Sequence, residues 1–175
     1  MNHIDHVNLL RGGITNPGGV WADLGSGSGA FTMALAELIG TTGEIYSVDQ
    51  DGGALGQQKR EMQTRFPKVV VHYQQADFTK RLNLPALDGL VMANSLHFQR
   101  QKEPILKLVQ DYLKPGGRLL LVEYNVDQGN TWVPYPLSYP TWEKLAGCAG
   151  FKDTRLLADR PSRFLHSIYS AASVK

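Results

Sequence analysis

Short apolar runs alternate with helix-like stretches along most of this chain, and this alternation restricts the fold more than any single motif. The apolar runs cover residues 20–24, 44–49, 69–73, 87–94 and 118–124. They are almost continuous in apolar residues, which is typical of strands that are covered on both faces. A strand–helix–strand order of this kind predicts a mostly parallel sheet with helices packed against both sides.

The stretches between these runs have the character of helices. We predict helices at 30–39, at 54–66, from Pro104 to the turn at 113–117, and at 141–149. Pro104 suits the first turn of a helix, because the amide that proline lacks would have no partner there. Residues 1–17 are too few for a domain, and we expect them to form a helix or an arm at the sheet edge.

The last part of the chain departs from the alternation. Two strand-like runs, 151–158 and 164–172, are separated by only the five residues "DRPSR". Five residues cannot form a crossover helix, so these two strands are predicted to pair as an antiparallel hairpin. No internal repeat or second domain is evident, and we expect one domain over 1–175, with 1–17 as its N-terminal arm or helix.

Composition narrows the class of protein. The 175 residues carry a formal net charge of +2, and 42% of them are hydrophobic. So mild and evenly spread a charge makes nucleic acid an unlikely partner. One cysteine, Cys148, excludes a disulfide framework and a cysteine metal cluster, and we predict no metal site. A signal peptide and a membrane-length apolar segment are both lacking, so a cytoplasmic protein without a membrane partner is expected.

A glycine-rich loop, "GSGSG" at 25–29, follows the first predicted strand. In an open parallel sheet, ligands bind at the carboxyl ends of the strands, so this loop faces the expected site. Its glycines allow a ligand to approach the backbone closely, and the helix that follows attracts an anionic group. That group could be a carboxylate or a pyrophosphate. Gly25, Gly27 and Ala30 also fit the dinucleotide pattern G-x-G-x-x-G/A, which keeps an NAD(P)-dependent oxidoreductase open.

Three acidic residues at predicted strand ends favour a different ligand. Asp23 lies two residues before the first glycine of the loop, where it would repel a pyrophosphate and suit a ligand that carries an ammonium and a sulfonium. Asp49 ends the second strand, where a carboxylate can accept hydrogen bonds from both hydroxyls of a ribose. Asp77 and Phe78 follow the third strand, and they can bind the amino group of an adenine and cover its face.

Five segments, taken in order, extend this pattern over nearly the whole chain: "ADLGSGSG" (22–29), "YSVD" (46–49), "QADF" (75–78), "DGLVMANSLHF" (88–98) and "LKPGGRLLLVE" (113–123). With them the chain resembles the class I S-adenosylmethionine-dependent methyltransferases, in a branch similar to the enzymes of quinone biosynthesis. The resemblance implies an α/β, Rossmann-like three-layer α/β/α sandwich. Its seven-stranded, mostly parallel sheet would have an antiparallel C-terminal strand.

The same resemblance implies a cofactor site for S-adenosyl-L-methionine. The loop would contact the methionine part, Asp49 would bind the ribose, and Asp77 and Phe78 would bind the adenine. Asn94 and Ser95 would line the site beside the transferred methyl group. Gln50 departs from the pattern, because an apolar residue that stacks on the adenine is common there. The full expected set is Asp23, Leu24, Gly25, Ser26, Gly27, Gly29, Asp49, Gln50, Ala76, Asp77, Phe78, Asn94 and Ser95.

The sequence gives fewer indications of the residues that bind the methyl acceptor. His97 follows the fourth strand and is either a general base or a residue that shapes the pocket. His97, Tyr124, Tyr135 and Tyr139 are the candidate substrate residues. The aromatic segment 131–142 either forms an apolar pocket wall or seals the end of the sheet. We expect in-line methyl transfer to a small organic acceptor. Residues 94–97 read "NSLH" rather than an Asn/Asp-Pro-Pro-Tyr-like stretch, which disfavours methylation of amide or adenine nitrogen.

Three alternatives remain open at this point. They are a non-enzymatic cofactor-binding or interaction module, an NAD(P)-dependent oxidoreductase, and an RNA methyltransferase. A homodimer is also possible, because the chain has no cap domain to close the site.

Overall fold

A computed structural model describes all residues from Met1 to Lys175. It contains five α-helices and seven β-strands. In chain order they are α1 (His3–Arg11), β1 (Gly19–Leu24), α2 (Ala30–Ile39), β2 (Gly43–Asp49), α3 (Gly52–Arg65), β3 (Val70–Gln75), β4 (Leu87–Ala93), α4 (Glu103–Tyr112), β5 (Leu113–Tyr124), α5 (Tyr139–Cys148), β6 (Lys152–Pro161) and β7 (Ser167–Val174).

The seven strands form one sheet in the order β3-β2-β1-β4-β5-β7-β6. Strand β1 pairs in parallel with both β2 and β4. From β1 the chain adds β2 and β3 toward one edge of the sheet. It then returns to the other side of β1, where β4 begins the part of the sheet that extends to the opposite edge. The carboxyl ends of β1 and β4 lie at this reversal, which is where ligands bind in open α/β sheets.

The C-terminal hairpin confirms the sequence prediction. Strand β7 is antiparallel to both β5 and β6, so it is the one strand that runs against the other six. The connection between β6 and β7 is too short for a crossover helix, which forces the reversal.

Helices cover both faces of the sheet and enclose two separate cores, which confirms the predicted three-layer architecture. Helices α4 and α5 pack on one face, where Trp142 and Tyr169 are fully buried. Helices α1, α2 and α3 pack on the other face, where Trp21, Leu35 and Ile39 belong to the core. The predicted N-terminal helix is present as α1.

One boundary differs clearly from the sequence prediction. We expected a turn over 113–117 and a strand from Arg118, but β5 begins at Leu113, directly after α4. Leu113 already pairs with Leu87, and the next partners are Gly89 and Arg118. The predicted turn residues are therefore looped out as an irregularity within the strand, with Gly116 in the left-handed region.

Candidate active site

The carboxyl ends of three neighbouring strands meet around the glycine-rich loop. The amides of Gly25 and Ser26 both donate to the carbonyl of Val48 on β2, over 2.8 and 3.1 Å. On the other side, the hydroxyl of Ser95 donates to the carbonyl of Leu24 over 2.8 Å. These bonds fix the loop between β2 and the segment that follows β4.

Two glycines in the loop are required for different reasons. A Cβ at Gly25 would lie 2.5 Å from the Cβ of Ser95, so no side chain fits there. A Cβ at Gly27 would meet nothing within 4 Å, and its φ of +52° is one that other residues rarely adopt. The loop is thus tightly packed at its start and open above its middle, where a ligand has room to approach the backbone.

Asp49 is oriented by the backbone around it. One carboxylate oxygen accepts the amide of Gly27 over 2.7 Å, and the other accepts the amide of Asp51 over 2.8 Å. The carboxylate is therefore held at the end of β2 in a defined direction. Each oxygen still has acceptor capacity, since a carboxylate oxygen has two lone-pair directions.

Two cavities open at this end of the sheet and share the residues Gly25 and Asn94. The first has a volume of about 240 Å³ and is lined by Gly25, Asp49, Gln50, Phe78, Asn94, Ser95, Phe98 and Gln99. The second has a volume of about 250 Å³ and is lined by Met1, His6, Asp23, Gly25, Ser26, Gly27, Ser28, Ala30, Phe31, Ala93 and Asn94. The two cavities therefore adjoin each other at these shared residues, and together they form the candidate site.

Asn94, at the junction of the two cavities, is strained and lacks a partner. Its φ is +51°, in the left-handed region that a non-glycine residue seldom occupies. Its Oδ1 atom is buried and accepts no hydrogen bond within the chain. Backbone strain and an unsatisfied buried acceptor are both costly, and they concentrate at functional sites.

Asp23 contributes a buried carboxyl group to the second cavity. Its side chain is 1% exposed, and the hydroxyl of Thr32 on α2 donates to it over 2.6 Å. The pKa of Asp23 is raised to about 7, mainly by burial; the bond from Thr32 opposes this rise, and the negative charge of Asp49 adds to it. A positively charged ligand group beside Asp23 would favour its ionised form.

Asp77 lies next to the first cavity without lining it. One of its oxygens accepts both the amide and the hydroxyl of Thr79, over 2.9 and 2.7 Å. These two bonds lower the pKa of Asp77 and form a tight turn after β3. The turn places Phe78, whose ring is 6% exposed, against the loop and into the wall of the first cavity.

His97 forms a buried pair with Glu123 on β5. Its Nδ1 lies 2.7 Å from one oxygen of Glu123, and its backbone amide donates to the other oxygen over 3.1 Å. The two side chains are 3% and 0% exposed. Two bonds to one carboxylate fix both the ring and the segment that carries it, and the Nε2 atom makes no hydrogen bond within the chain.

The aromatic side chains of segment 131–142 differ in burial. Trp142, on α5, is fully buried and seals the core. Trp132 and Tyr135 are 74% and 41% exposed. The amide of Tyr135 donates to the carbonyl of His97 over 3.0 Å, which holds the exposed part beside the candidate base.

Comparison with known proteins identifies the family of the chain. A family described as "Methyltransferase domain" matches residues 16–156, which is most of the chain. The chain belongs to the class I S-adenosylmethionine-dependent methyltransferases. The cofactor of this family is S-adenosylmethionine.

Among relatives, the methyltransferase is similar to the ubiquinone/menaquinone biosynthesis C-methyltransferase UbiE of Ectopseudomonas mendocina. The two are 31% identical over 111 residues, which is 62% of this chain and 43% of the relative. The chain therefore spans less than half the length of that relative.

Solved structures share the fold. YcgJ from Bacillus subtilis superposes with a TM-score of 0.82 at 13% identity and covers 99% of both chains. The 1,6-didemethyltoxoflavin-N1-methyltransferase of Burkholderia thailandensis superposes with a TM-score of 0.75 at 20% identity, over 99% of this chain and 77% of that one. That structure contains 1,6-didemethyltoxoflavin and S-adenosylhomocysteine.

The methyltransferase fold brings most, but not all, of the expected residues into the two cavities. The expected residues that line neither cavity are Leu24, Gly29, Ala76, Asp77, His97, Tyr124, Tyr135 and Tyr139. Leu24 is fully buried, and the hydroxyl of Tyr139 donates to Glu143 on the surface of α5. Ala76, which is not a wall residue, donates its amide to the carbonyl of Asp49.

Eight lining residues are not in the expected set: Met1, His6, Ser28, Ala30, Phe31, Ala93, Phe98 and Gln99. Phe98 and Gln99 follow His97 directly, and their position just past β4 was a usable signal. Met1 and His6 reach the second cavity only because α1 folds back over α2, which no local pattern indicates.

No group of three or more His, Cys, Asp or Glu side chains is placed to hold a metal ion. None of the helices is both long and apolar enough to span a membrane.

Proposed function

We propose that this chain transfers the methyl group of S-adenosylmethionine to a small organic acceptor. The observation that carries the proposal is Asn94, whose unpartnered buried oxygen and strained backbone lie between two cavities. Asp49 lines one cavity and Asp23 lines the other. A ligand with ribose hydroxyls at one end and an ammonium at the other fits this arrangement of acceptors.

The roles of the lining residues follow from their chemistry. Asp49, held by two amides, would bind the ribose hydroxyls, and Phe78 would cover the adenine face. Asp23 would bind the ammonium of the methionine part, because a buried carboxyl group gains most from an opposite charge. Asp77 would contact the adenine amino group through the oxygen that Thr79 leaves free.

The bound cofactor supplies an electrophilic methyl group, so the protein needs mainly to position the acceptor and exclude water. His97 would accept a proton at Nε2 from an acceptor hydroxyl or amine. Glu123 holds Nδ1 and stabilises the positive charge that the ring then carries. An acidic carbon or a phenolate as acceptor would need positioning alone.

The acceptor is proposed to bind against exposed aromatic rings around His97. Phe98 is 56% exposed and its ring centroid lies 4.3 Å from that of His97. Tyr124 lies between His97 and the exposed Phe164, at 6.3 and 5.8 Å from their centroids. Tyr135 is held near this group by the bond from its backbone amide to the carbonyl of His97. Such a surface favours a flat, largely apolar molecule.

Further parts of the proposal rest on the sequence. They are a single domain over residues 1–175, a homodimer, a cytoplasmic location supported by the one unpaired cysteine, and the absence of nucleic acid as a partner. Light scattering tests the homodimer. Binding of RNA that weakens as the salt concentration rises would favour RNA methylation as the function.

Thermal unfolding with S-adenosylhomocysteine, and separately with NAD and NADP, tests the function first. A ligand that binds only the folded state at one hundred times its Kd should raise the midpoint by roughly 5–10 °C. We expect a rise with S-adenosylhomocysteine alone. A rise only with NAD or NADP would overturn the proposal in favour of an oxidoreductase, and no rise with any of the three would favour an interaction module.

A further inference from the structure

The glycine-rich loop packs on a buried side chain of helix α3. This side chain is Gln58, which is fully buried and lies against the backbone of Gly29, the last residue of the loop. A Cβ at Gly29 would lie 2.3 Å from Cγ of Gln58 and 2.7 Å from its Cδ. The loop can therefore pass over Gln58 only because position 29 is a glycine.

A second contact joins Gln58 to the loop through strand β2. The hydroxyl oxygen of Ser47 lies 3.0 Å from Oε1 of Gln58 and 2.8 Å from the hydroxyl oxygen of Ser26. Each hydroxyl has one proton and the amide oxygen can only accept, so Ser26 donates to Ser47 and Ser47 donates to Gln58. A continuous chain of hydrogen bonds therefore runs from the loop through β2 to α3.

The amide nitrogen of Gln58 indicates that this residue does more than fill space. Its Nε2 atom is buried and donates no hydrogen bond within the chain. A buried donor without an acceptor is costly, and an apolar side chain of the same length would avoid that cost. The use of an amide here is explained by its oxygen, which is the acceptor at the end of the chain from Ser26.

We infer that Gln58 is a positioning residue for the cofactor loop, which it holds in its binding arrangement before S-adenosylmethionine binds. The inference rests on the proposed function. Gln58 lines neither cavity, so it can act only through the loop. Asp49 already fixes the middle of the loop through the amide of Gly27, and Gln58 fixes the positions on either side of it, Ser26 and Gly29. A loop that is ordered in advance loses less conformational freedom when the ligand binds.

The test uses two neighbouring glutamines of α3 and one serine of β2. Gln58→Met keeps the length and the apolar packing of the buried side chain and removes both polar atoms. Gln57→Met makes the same change at an exposed position and is the matched control. Ser47→Ala breaks the same chain at its middle.

Two measurements are made on each variant. Isothermal titration calorimetry gives the affinity for S-adenosylhomocysteine. Amide hydrogen exchange without ligand shows how firmly the loop is held at Gly29, whose amide donates to the carbonyl of Ser26 over 2.9 Å. The second measurement needs no cofactor, so it tests the loop separately from the proposed function.

We expect Gln58→Met to weaken S-adenosylhomocysteine binding about 5-fold, the usual effect of one lost hydrogen bond, and to speed exchange of the Gly29 amide. Gln57→Met should change neither. Ser47→Ala should give a similar loss of affinity. The double variant of Ser47 and Gln58 should lose no more than the larger single loss, because both changes break one chain.

Three results would overturn the role of Gln58. They are an unchanged affinity in Gln58→Met, losses that add in the double variant, and faster exchange throughout the sheet, which would indicate a general loss of stability. Failure of the unmodified protein to bind S-adenosylhomocysteine would instead overturn the proposed function, and the exchange of the Gly29 amide would still decide whether Gln58 fixes the loop.

Discussion

Individual residues at the strand ends are held in position before any ligand binds, and Asp49 shows this most directly. Its two oxygens accept the amides of Gly27 and Asp51. Asp49→Ala should weaken S-adenosylhomocysteine binding at least about 10-fold, because it removes the ribose acceptor and leaves two amides unpaired. Calorimetry measures the change. Asp111→Ala, which removes an exposed carboxylate paired with Arg81, is the control. An unchanged affinity would remove Asp49 from the ribose role.

The pairing of His97 with Glu123 makes a second prediction at this scale. His97→Gln should lower kcat by about 10²–10⁴, the usual contribution of a general base, and leave cofactor affinity unchanged. Glu123→Gln should lower kcat less, because the ring keeps an oxygen partner but loses the negative charge that stabilises its protonated form. His72→Gln removes an exposed histidine paired with Glu44 and should have no effect. Normal turnover of the His97 variant would leave this residue with a structural role only.

Asp23 makes stability depend on pH. Burial raises the pKa of its carboxyl group to about 7 in the folded protein, whereas an unfolded chain has the ordinary value near 4. Between these values the folded state binds more protons, so the contribution of Asp23 to stability is present at low pH and is lost as the pH rises toward 7.

Asp23→Asn removes this dependence and keeps an acceptor for the hydroxyl of Thr32. The free energy of unfolding of the variant, relative to that of the unmodified protein, should therefore rise between pH 5 and pH 8, by at most about 3 kcal/mol. Urea denaturation at both pH values measures it. A difference that is the same at both pH values would mean that Asp23 does not titrate in this range.

At the scale of elements, a buried lysine joins the two segments that border the acceptor surface. The ammonium of Lys102, at the start of α4, donates to the carbonyl of Gln99 over 2.8 Å and to that of Tyr135 over 2.9 Å. Burial lowers the pKa of this ammonium, and the negative charge of the nearby Glu123 opposes that shift. The two carbonyl partners also favour the charged form of the ammonium. The segment after β4 and the aromatic segment are therefore held together by this one side chain and the bond from Tyr135 to His97.

Lys102→Met keeps the apolar stem and removes both bonds. We expect the KM for the acceptor to rise several-fold, because the two segments that border the acceptor surface lose both bonds that Lys102 makes between them. Affinity for S-adenosylhomocysteine should stay unchanged, because Lys102 lines neither cavity. Lys107→Met, at an exposed position of α4, is the control. Equal effects on acceptor and cofactor would show that Lys102 acts on general stability rather than on the acceptor surface.

At the scale of the whole molecule, the centre of the sheet has little spare volume. Gly89 on β4 pairs with Trp21 on β1, and a Cβ at Gly89 would lie 2.1 Å from the Trp21 ring. Gly89→Ala should destabilise the fold by about 1–3 kcal/mol through overpacking. Thermal unfolding should show a midpoint lowered by roughly 2–4 °C for each kcal/mol.

Gly147→Ala is the matched control for this prediction. A Cβ at Gly147 on α5 would meet nothing within 4 Å, and alanine favours the helix. We expect it to be neutral or stabilising. An equal loss of stability in both variants would contradict the claim that the contact with Trp21 is what restricts position 89.

Local patterns in the sequence were sufficient to predict most helices and strands and part of the candidate site. The predicted helix at 30–39 matches α2 at both ends, because glycines flank it and its apolar residues are buried. The hairpin followed from a connection too short for a crossover. Asp49 and the glycine-rich loop were found because a residue at a strand end is placed by its own strand. The family resemblance, and with it the cofactor, also rests on these segments.

Other features depended on contacts between residues far apart in the chain. Glu123 was not expected as the partner of His97, because the two are 26 residues apart and meet only when β5 lies beside β4. His6 reaches the second cavity only because α1 packs on α2. The looped-out start of β5 also depends on the pairing of Leu113 with Leu87.

The sequence by itself therefore determined the class of fold, the position of the loop and the strand-end acids, because each depends on residues close together in the chain. The tertiary structure decided which side chains face each other across the site. The reason is physical: burial, the pairing of His97 with Glu123 and the unsatisfied oxygen of Asn94 are properties of packed surroundings, and these surroundings exist only after distant segments have come together.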